Sequence, residues 1–379
     1  MHPRDPHQGH RAATPLELFF DLVFVVAVST ASAQLHHELS AGHVENGLVS
    51  YGFMFFAIWW AWMNFTWFAN SFSTDDWLYR ILTFVQMGGV LVLAAGIPAA
   101  FHGDFTVPVI AYIVMRVAMI VQWLRASRSA GSARRATLFY AAGITIVQLC
   151  WVAFLFVPAE AKIAVFLLFV VFELAVPVIA ERQGQTPWHP HHITERYSLF
   201  TLIVLGESLL ASSNAIIEAL DEVESLGPLI SIAVLALVVT ASLWWIYFWP
   251  PHHRAITTLA SSIRYGYTHF FVFAAAAAFS AGIEVEIDRL THHSKLDAVQ
   301  ASFTVTVPIA VFLLGIWWIA IRENADRVVN TAIPLAAVLV LLDPLLPTPV
   351  VFTAIVLVVV VVILVLRPPV GEEAPGSQP

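Results

Sequence analysis

The chain has 379 residues, of which 59% are apolar and 12% are charged, with a net charge of −8 and a mean hydropathy of +0.79. Soluble domains average about 25% charged residues, so the composition excludes a water-soluble globular protein. The acidic balance argues against a nucleic-acid partner, and the single cysteine, Cys150, excludes an intrachain disulfide.

Apolar blocks recur along the chain with the length of about 20 residues that a helix needs to cross a bilayer. They predict twelve transmembrane helices, near residues 16–35, 47–69, 79–100, 105–124, 137–157, 161–180, 196–218, 228–249, 263–283, 298–321, 328–346 and 349–366. The expected fold class is therefore an all-α polytopic membrane protein. The polar segment 371–379 is predicted to be a disordered tail.

The first apolar block also resembles a signal peptide, because it ends in Ala31-Ser32-Ala33. Glu17 and Asp21 interrupt its apolar run, however, and favour its retention as a helix. Basic residues remain in the cytoplasm during membrane insertion. With the N-terminus inside, 14 of the 18 Lys and Arg residues fall in cytoplasmic loops, which predicts that both termini are cytoplasmic.

The second half of the chain repeats features of the first. The matching positions are Glu17 with Glu195, Trp59-Trp60 with Trp244-Trp245, Arg80 with Arg264, Gly96 with Gly282, and Phe105-Thr106-Val107 with Phe303-Thr304-Val305. They predict two six-helix repeats, residues 1–182 and 183–370. An even number of helices makes such repeats parallel, and transporters often place their polar sites between repeats.

Ionisable residues inside apolar spans cost about 2.5–3.5 kcal/mol at the bilayer centre and are candidate functional residues by default. Glu17 and Asp21 are four residues apart in the first span, so they share one helix face. This spacing favours protonation or cation binding. The alternative is that Glu17 only stabilises the helix start through the helix dipole.

Span seven contains Glu195, Arg196 and Glu207. Glu207 follows Arg196 by eleven residues, which is about 16 Å along a helix and places it near the bilayer midplane. Gly206 beside it allows close approach of a neighbouring helix or ligand. Glu207 is therefore the strongest single candidate.

Arg116 is the only basic residue deep inside a predicted span, and it is the expected counter-charge of Glu207. Glu173 in span six is the other candidate partner of Arg116, and a purely structural ion pair is the alternative reading. The predicted substrate-binding residues are Glu207, Arg116, Glu173, Glu17, Asp21, Glu195 and Arg196.

The fifteen histidines do not predict a metal site, because adjacent histidines point apart on a helix and no H-E-x-x-H motif occurs. The run His189-Pro190-His191-His192 instead predicts a pH-responsive loop. No cofactor and no catalytic residue are predicted, since no nucleophile–base pair can be identified.

The segment Glu17-Leu18-Phe19-Phe20-Asp21-Leu22-Val23-Phe24-Val25 and the run from Glu195 to Ser208, which ends Val204-Leu205-Gly206-Glu207-Ser208, resemble the bacterial low temperature requirement A family over essentially the whole chain. The resemblance implies a multi-pass bacterial membrane protein, expected in the cytoplasmic (inner) membrane, that is linked by name to growth in the cold. Phe20-Asp21 is also similar to the F-S-D motif of lysosomal and bacterial potassium channels. The chain departs from that motif at Phe19-Phe20-Asp21 and has Leu199 at the repeat-equivalent position.

Parallel repeats together with mid-membrane ionisable residues favour a secondary transporter of a small solute or ion, with proton coupling through Glu207 or the Glu17/Asp21 face. An ion channel and a non-transporting membrane sensor or scaffold are the alternatives, and an enzyme is not expected. The predicted partners are the lipid bilayer and a small solute or ion. The sequence leaves a homo-oligomer open.

Overall fold

The structure is a computed structural model that describes residues 1–4, 12–220, 226–346 and 350–370. Within these ranges the chain forms twelve α-helices, and a two-residue strand β1 (His2–Pro3) pairs antiparallel with β2 (Phe72–Ser73). The predicted tail at 371–379 lies outside the described residues.

The helices follow one another with short connections. They are α1 (Pro15–Ser40), α2 (Val44–Ser71), α3 (Trp77–Phe101), α4 (Thr106–Ala126), α5 (Arg134–Phe154), α6 (Ala159–Glu181), α7 (Pro190–Ala219), α8 (Gly227–Phe248), α9 (Leu259–Leu290), α10 (Ala298–Ile316), α11 (Arg327–Leu342) and α12 (Val351–Leu366). A π-helical turn, Trp317–Ile321, continues α10. The connection between α8 and α9 contains a 3-10 turn, His252–Ala255.

Each of the twelve predicted spans corresponds to a helix in the part of the chain that the structure describes. Eleven of these helices are long and apolar enough to cross a membrane when α11 is counted with the 3-10 turn Asp343–Leu345 that extends it, and α12 is a shorter apolar helix of 16 residues. Helix ends extend beyond the apolar blocks. For example, α9 begins at Leu259 instead of 263, because a capping box of Thr258 and Ser261 satisfies its first backbone N–H groups.

The chain divides into two compact units. Unit 1 comprises Met1–Ala31 and Ser50–Tyr197, and unit 2 comprises Ser32–Val49 and Ser198–Pro379. The boundaries fall inside α1, α2 and α7. The repeats at 1–182 and 183–370 stay a sequence-based prediction.

Aromatic side chains of α2 form the centre of unit 1. Trp59, Trp60 and Trp62 are at most 1% exposed, and the ring of Phe65 stacks on Phe20 of α1 with centroids 4.0 Å apart. Buried aromatic rings contribute large apolar areas to packing. This core holds the α1 carboxylates against α2.

Close helix contacts in each unit depend on a glycine. In unit 1, a Cβ on Gly96 of α3 would lie only 2.8 Å from Cγ1 of Val107 of α4. In unit 2, a Cβ on Gly282 of α9 would collide with the backbone of Thr304 of α10. Small residues at such positions allow helix backbones to pack directly on each other.

Candidate functional site

The main polar site of unit 1 is a buried acid–base cluster formed by Glu17 and Asp21 of α1 and His192, Glu195 and Arg196 of α7. Both elements contribute residues three or four positions apart, so each set lies on one helix face. The side chains of Asp21 and Arg196 are completely buried. Four of the predicted residues are therefore brought together here, although residues 21 and 196 are far apart in sequence.

Arg196 holds Asp21 through two parallel hydrogen bonds. Its Nη2 donates to Oδ1 over 2.6 Å and its Nε donates to Oδ2 over 3.0 Å. The indole Nε1 of Trp62 donates a third bond to Oδ1 over 2.7 Å. Bidentate guanidinium–carboxylate pairs are among the strongest side-chain hydrogen bonds and fix orientation. Asp21 is thus well satisfied as an anion.

Glu17 has more basic neighbours than Asp21, but none of them lies as close as Arg196 lies to Asp21. Its Oε2 accepts from the backbone N and the hydroxyl of Thr14, both over 2.8 Å. Its Oε1 lies 3.3 Å from Nε2 of His192, 3.6 Å from Nη1 of Arg196 and 3.7 Å from Nη2 of Arg4. Glu17 is thus held mainly by Thr14 and shared between three basic side chains.

His192 bridges two carboxylates. Its Nε2 faces Glu17, and its Nδ1 lies 3.7 Å from Oε2 of Glu195 on the next turn of α7. The other oxygen of Glu195 accepts from the backbone N of Ala13 over 3.1 Å. The imidazole is 97% buried, since its side chain is 3% exposed, so a change of its charge is felt directly by both carboxylates.

A cleft of about 550 Å³ opens beside this cluster. Arg4 and Glu17 line it together with Tyr79, Asp75 and Arg80 from the start of α3. Positively and negatively charged side chains therefore face the same solvent-accessible space, together with the side chain of Tyr79. A site of this size can admit a small polar solute or hydrated ion.

A second buried ion pair lies elsewhere in unit 1. Of the two partners considered for Arg116, the structure pairs it with Glu173, with 3.1 Å between Nη2 and Oε1. Trp151 donates to the same oxygen over 3.0 Å, and Trp60 donates to Oε2 over 2.7 Å. One guanidinium and two indoles therefore satisfy this carboxylate, which is the arrangement of a structural anchor.

Glu207 belongs to unit 2 and is partly exposed. It interacts electrostatically with Glu284 of α9, whose Oε2 lies 3.3 Å from Nδ1 of His36. No ion pair joins Glu207 to any of the residues in the described ranges. The prediction that Glu207 is the principal site residue stays untested, and the closest-packed ionisable groups are found in unit 1.

Sequence reasoning missed the roles of His192 and Trp62. The histidine run was expected to form a loop, but α7 begins at Pro190, which places His192 in its first turn. Its spacing of three residues from Glu195 was the available signal. Trp62 carried no such signal, because a tryptophan within an apolar span usually packs against other helices or lies at the membrane interface.

Unit 2 contains a tyrosine–histidine quartet formed by Tyr247, His252, Tyr265 and His269, all buried. The hydroxyl of Tyr247 donates to Nε2 of His269, whose Nδ1 donates to the carbonyl of Tyr265. The hydroxyl of Tyr265 donates to Nδ1 of His252, whose Nε2 donates to the carbonyl of Tyr247. Each neutral imidazole supplies one donor and one acceptor, so the reciprocal bonds fix both tautomers.

The quartet predicts that the folded protein becomes less stable as the pH is lowered. Burial lowers the pKa of His252, which lies between α8 and α9, from 6.5 to about 4. Between these pH values the unfolded chain binds more protons than the folded chain, so the free energy of unfolding falls as the pH is lowered from 6.5 to 4. The loss is at most about 3 kcal/mol. Thermal melts of His252→Gln should show a smaller loss over this range.

The control for this prediction is His43→Gln, because the side chain of His43 is 63% exposed. This variant should retain the acid sensitivity of the wild-type protein. Equal acid sensitivity of His252→Gln and the wild type would contradict the assignment.

The described residues contain no group of three or more His, Cys, Asp or Glu side chains arranged to hold a metal ion. For the chain as a whole, the absence of a metal site stays a prediction.

The long apolar helices and their buried ion pairs are those of a multi-pass α-helical membrane protein. A sequence model of the family described as bacterial low temperature requirement A protein (LtrA) matches residues 12–366. The chain belongs to this family, as its sequence motifs indicate.

A relative from Rhizobium meliloti (strain 1021), named uncharacterized protein RA0937, is 29% identical over 248 residues. The match covers 63% of this chain and 59% of the relative. The chain therefore spans about three fifths of the relative's length.

Proposed function

We propose that the protein is a secondary transporter that moves a small polar solute or ion across the bacterial cytoplasmic membrane, with proton coupling at the acid–base cluster. The observation that carries this proposal is the position of His192. It is buried between Glu17 and Glu195, and Glu17 also lines the cleft. One carboxylate thus links a protonatable imidazole to an accessible space.

The charge balance of the cluster supports proton coupling. Over the described residues, the carboxylates of Glu17, Asp21 and Glu195 face the guanidiniums of Arg4 and Arg196. With neutral His192 the cluster carries one excess negative charge, and a proton on His192 removes it. Uncompensated charge is costly in a buried site. A solute cation and a proton can therefore compete to neutralise the same excess negative charge.

The distribution of basic residues in the sequence predicts that this end of α1 and α3 is cytoplasmic. In the proposed mechanism, the cleft beside Glu17 then opens to the cytoplasm. Release of a solute there is accompanied by proton exchange at the cluster. Asp21 and Arg196 act as positioning residues, because their bidentate pair fixes α1 against α7.

Equivalent contacts in the two units support the proposed six-helix repeats. Gly96 packs on Val107 in unit 1, and Gly282 packs on Thr304 and Val305 in unit 2. These are positions that match when the two halves of the sequence are aligned. Parallel repeats of this kind are a common plan of transporters.

Proteoliposomes loaded with the pH-sensitive dye pyranine test the proposal. A membrane potential is imposed, and a defined panel of amino acids, organic acids, sugars and monovalent cations is added. We expect proton flux that begins only with one class of solute, and Glu17→Gln should reduce it to the level of empty liposomes. Amide replacement keeps hydrogen bonding by the side chain but removes its titration.

The matched control is Glu160→Gln, because Glu160 lies exposed in the first turn of α6. Its proton flux should equal that of the wild type. Solute-independent ionic currents in planar bilayers would instead identify a channel. Unchanged solute-driven proton flux in both Glu17→Gln and His192→Gln would refute coupling at this cluster.

A further inference from the structure

A separate cavity in unit 2 lies where α8 begins, α9 ends and α12 begins, and its volume is about 240 Å³. Its walls are mainly apolar and include Ile232, Leu235, Ile283 and Leu290. Two charged residues, Glu286 and Arg289, also line it. An apolar cleft with a single acid–base pair suits an amphiphile with a charged head.

Glu286 and Arg289 form an ion pair that uses one carboxylate oxygen and one guanidinium nitrogen. The other oxygen and the two Nη groups can bind a ligand. Nε of Arg289 donates to Oε2 of Glu286 over 2.9 Å. The side chain of Glu286 is 3% exposed, and its Oε1 has no hydrogen-bond partner among the described residues. The side chain of Arg289 is 29% exposed, and no hydrogen bond from its two Nη groups is formed within the described ranges. An unpartnered buried carboxylate oxygen is destabilising, so a donor is expected there.

The cavity lies at helix ends, which is where lipid head groups are expected. Glu286 is four residues from the end of α9, and the cavity also contacts Val351, the first residue of α12. Helix ends of this kind meet the membrane interface. Along α12, Ile355, Val358 and Val362 lie on the same helix face as Val351 and are 43–56% exposed, so an apolar surface for acyl chains continues from the cavity into the membrane-spanning part.

We propose that this cavity binds the head group of a zwitterionic phospholipid with a primary ammonium, such as phosphatidylethanolamine. The ammonium donates to Oε1 of Glu286, and the phosphate accepts from the Nη groups of Arg289. The apolar walls contact the start of the acyl chains. Both charges of the lipid are matched, and each match is a charge-assisted hydrogen bond.

Other phospholipids match the cavity less well. Phosphatidylglycerol brings a phosphate and neutral hydroxyl donors but no cation, so its bond to Oε1 is not charge-assisted by an ammonium and its net negative charge is repelled by Glu286. Phosphatidylcholine has a cation without N–H donors, so it cannot hydrogen-bond to Oε1. The carboxylate therefore selects for the primary amine, whereas the guanidinium binds phosphate in all three lipids.

Native mass spectrometry of the full-length protein can test this preference for phosphatidylethanolamine over the other two lipids. The delipidated protein is mixed with dioleoyl phosphatidylethanolamine, phosphatidylcholine or phosphatidylglycerol, which share their acyl chains. We expect phosphatidylethanolamine to be retained at least about tenfold more than phosphatidylglycerol, as one charge-assisted hydrogen bond allows. Glu286→Gln should abolish this preference, and Arg289→Gln should weaken retention of all three lipids.

Two further variants separate site effects from folding effects. Ser231→Trp fills the mouth of the cavity from an exposed position on α8, and it should reduce retention of every lipid while the thermal stability stays the same. Glu323→Gln removes a more exposed acid–base pair with Arg264, away from the cavity in unit 2, and should change nothing. Equal retention of the three lipids by the wild type, or an unchanged preference in Glu286→Gln, would overturn the proposal. Equal binding of soluble phosphoethanolamine would also overturn it, because the acyl chains would then contribute nothing.

Discussion

Replacing Arg196 with Met should lower the free energy of unfolding by about 3–5 kcal/mol, the range found when one partner of a buried ion pair is removed. Asp21 is completely buried, so the variant leaves its carboxylate with the indole of Trp62 as its remaining close donor. Glu17 loses a basic neighbour at the same time. Thermal unfolding in detergent, followed by size-exclusion chromatography, measures the loss.

Removal of both charges should restore much of the stability. In Asp21→Leu combined with Arg196→Met, no unpaired charge remains, and apolar replacements of buried ion pairs are often neutral or better. The control is Arg80→Gln, because Arg80 pairs with Asp75 at an exposed site, where ion pairs contribute about 0–1 kcal/mol. If Arg196→Met and Arg80→Gln had the same stability, the buried pair would not hold α1 against α7.

The second large loss of stability is expected when Glu173 is replaced by an apolar residue. Glu173→Leu leaves the guanidinium of Arg116 and the indole N–H groups of Trp60 and Trp151 without their common acceptor. The expected loss is again about 3–5 kcal/mol. Glu173→Gln should lose less, because its amide oxygen can still accept from two of these donors.

Tryptophan spectroscopy distinguishes these two variants independently of stability. Trp60 and Trp151 donate directly to Glu173, so the near-ultraviolet circular dichroism should change in Glu173→Leu and largely persist in Glu173→Gln. Glu160→Gln, on the exposed start of the same helix, is the control and should leave the spectrum unchanged. Identical melting and identical spectra for the two Glu173 variants would show that the carboxylate does not organise this part of unit 1.

The helices were predictable because the membrane imposes a length and an apolar composition on each of them. The residues Glu17, Asp21 and Arg196 were also predictable as candidates, since charges inside apolar spans are rare. Their mutual pairing was not, because residues 21 and 196 are distant in sequence and periodicity carries no information on which helices touch. The pairing follows from tertiary packing around Trp62.

Two features of the candidate site were not predicted from the local sequence: the start of α7 and the partner of Arg116. The start of α7 was predicted near 196, because apolar periodicity begins there, yet Pro190 is favourable in the first turn of a helix and moves His192 into the cluster. Arg116 could be matched with either Glu207 or Glu173 from depth alone. Depth along a helix does not give the direction in which a side chain points, and contacts with Trp60 and Trp151 decide it for Glu173.

The lengths of two helices in unit 2 have a mechanical consequence for the surrounding lipids. With a rise of 1.5 Å per residue, the 32 residues of α9 extend over about 48 Å, whereas the 16 residues of α12 extend over about 24 Å. The hydrocarbon core of a bilayer is about 30 Å thick. A helix of this length can cross the core only where the lipids beside it compress or its flanking residues reach toward the interface, so long, straight acyl chains would fit poorly next to α12.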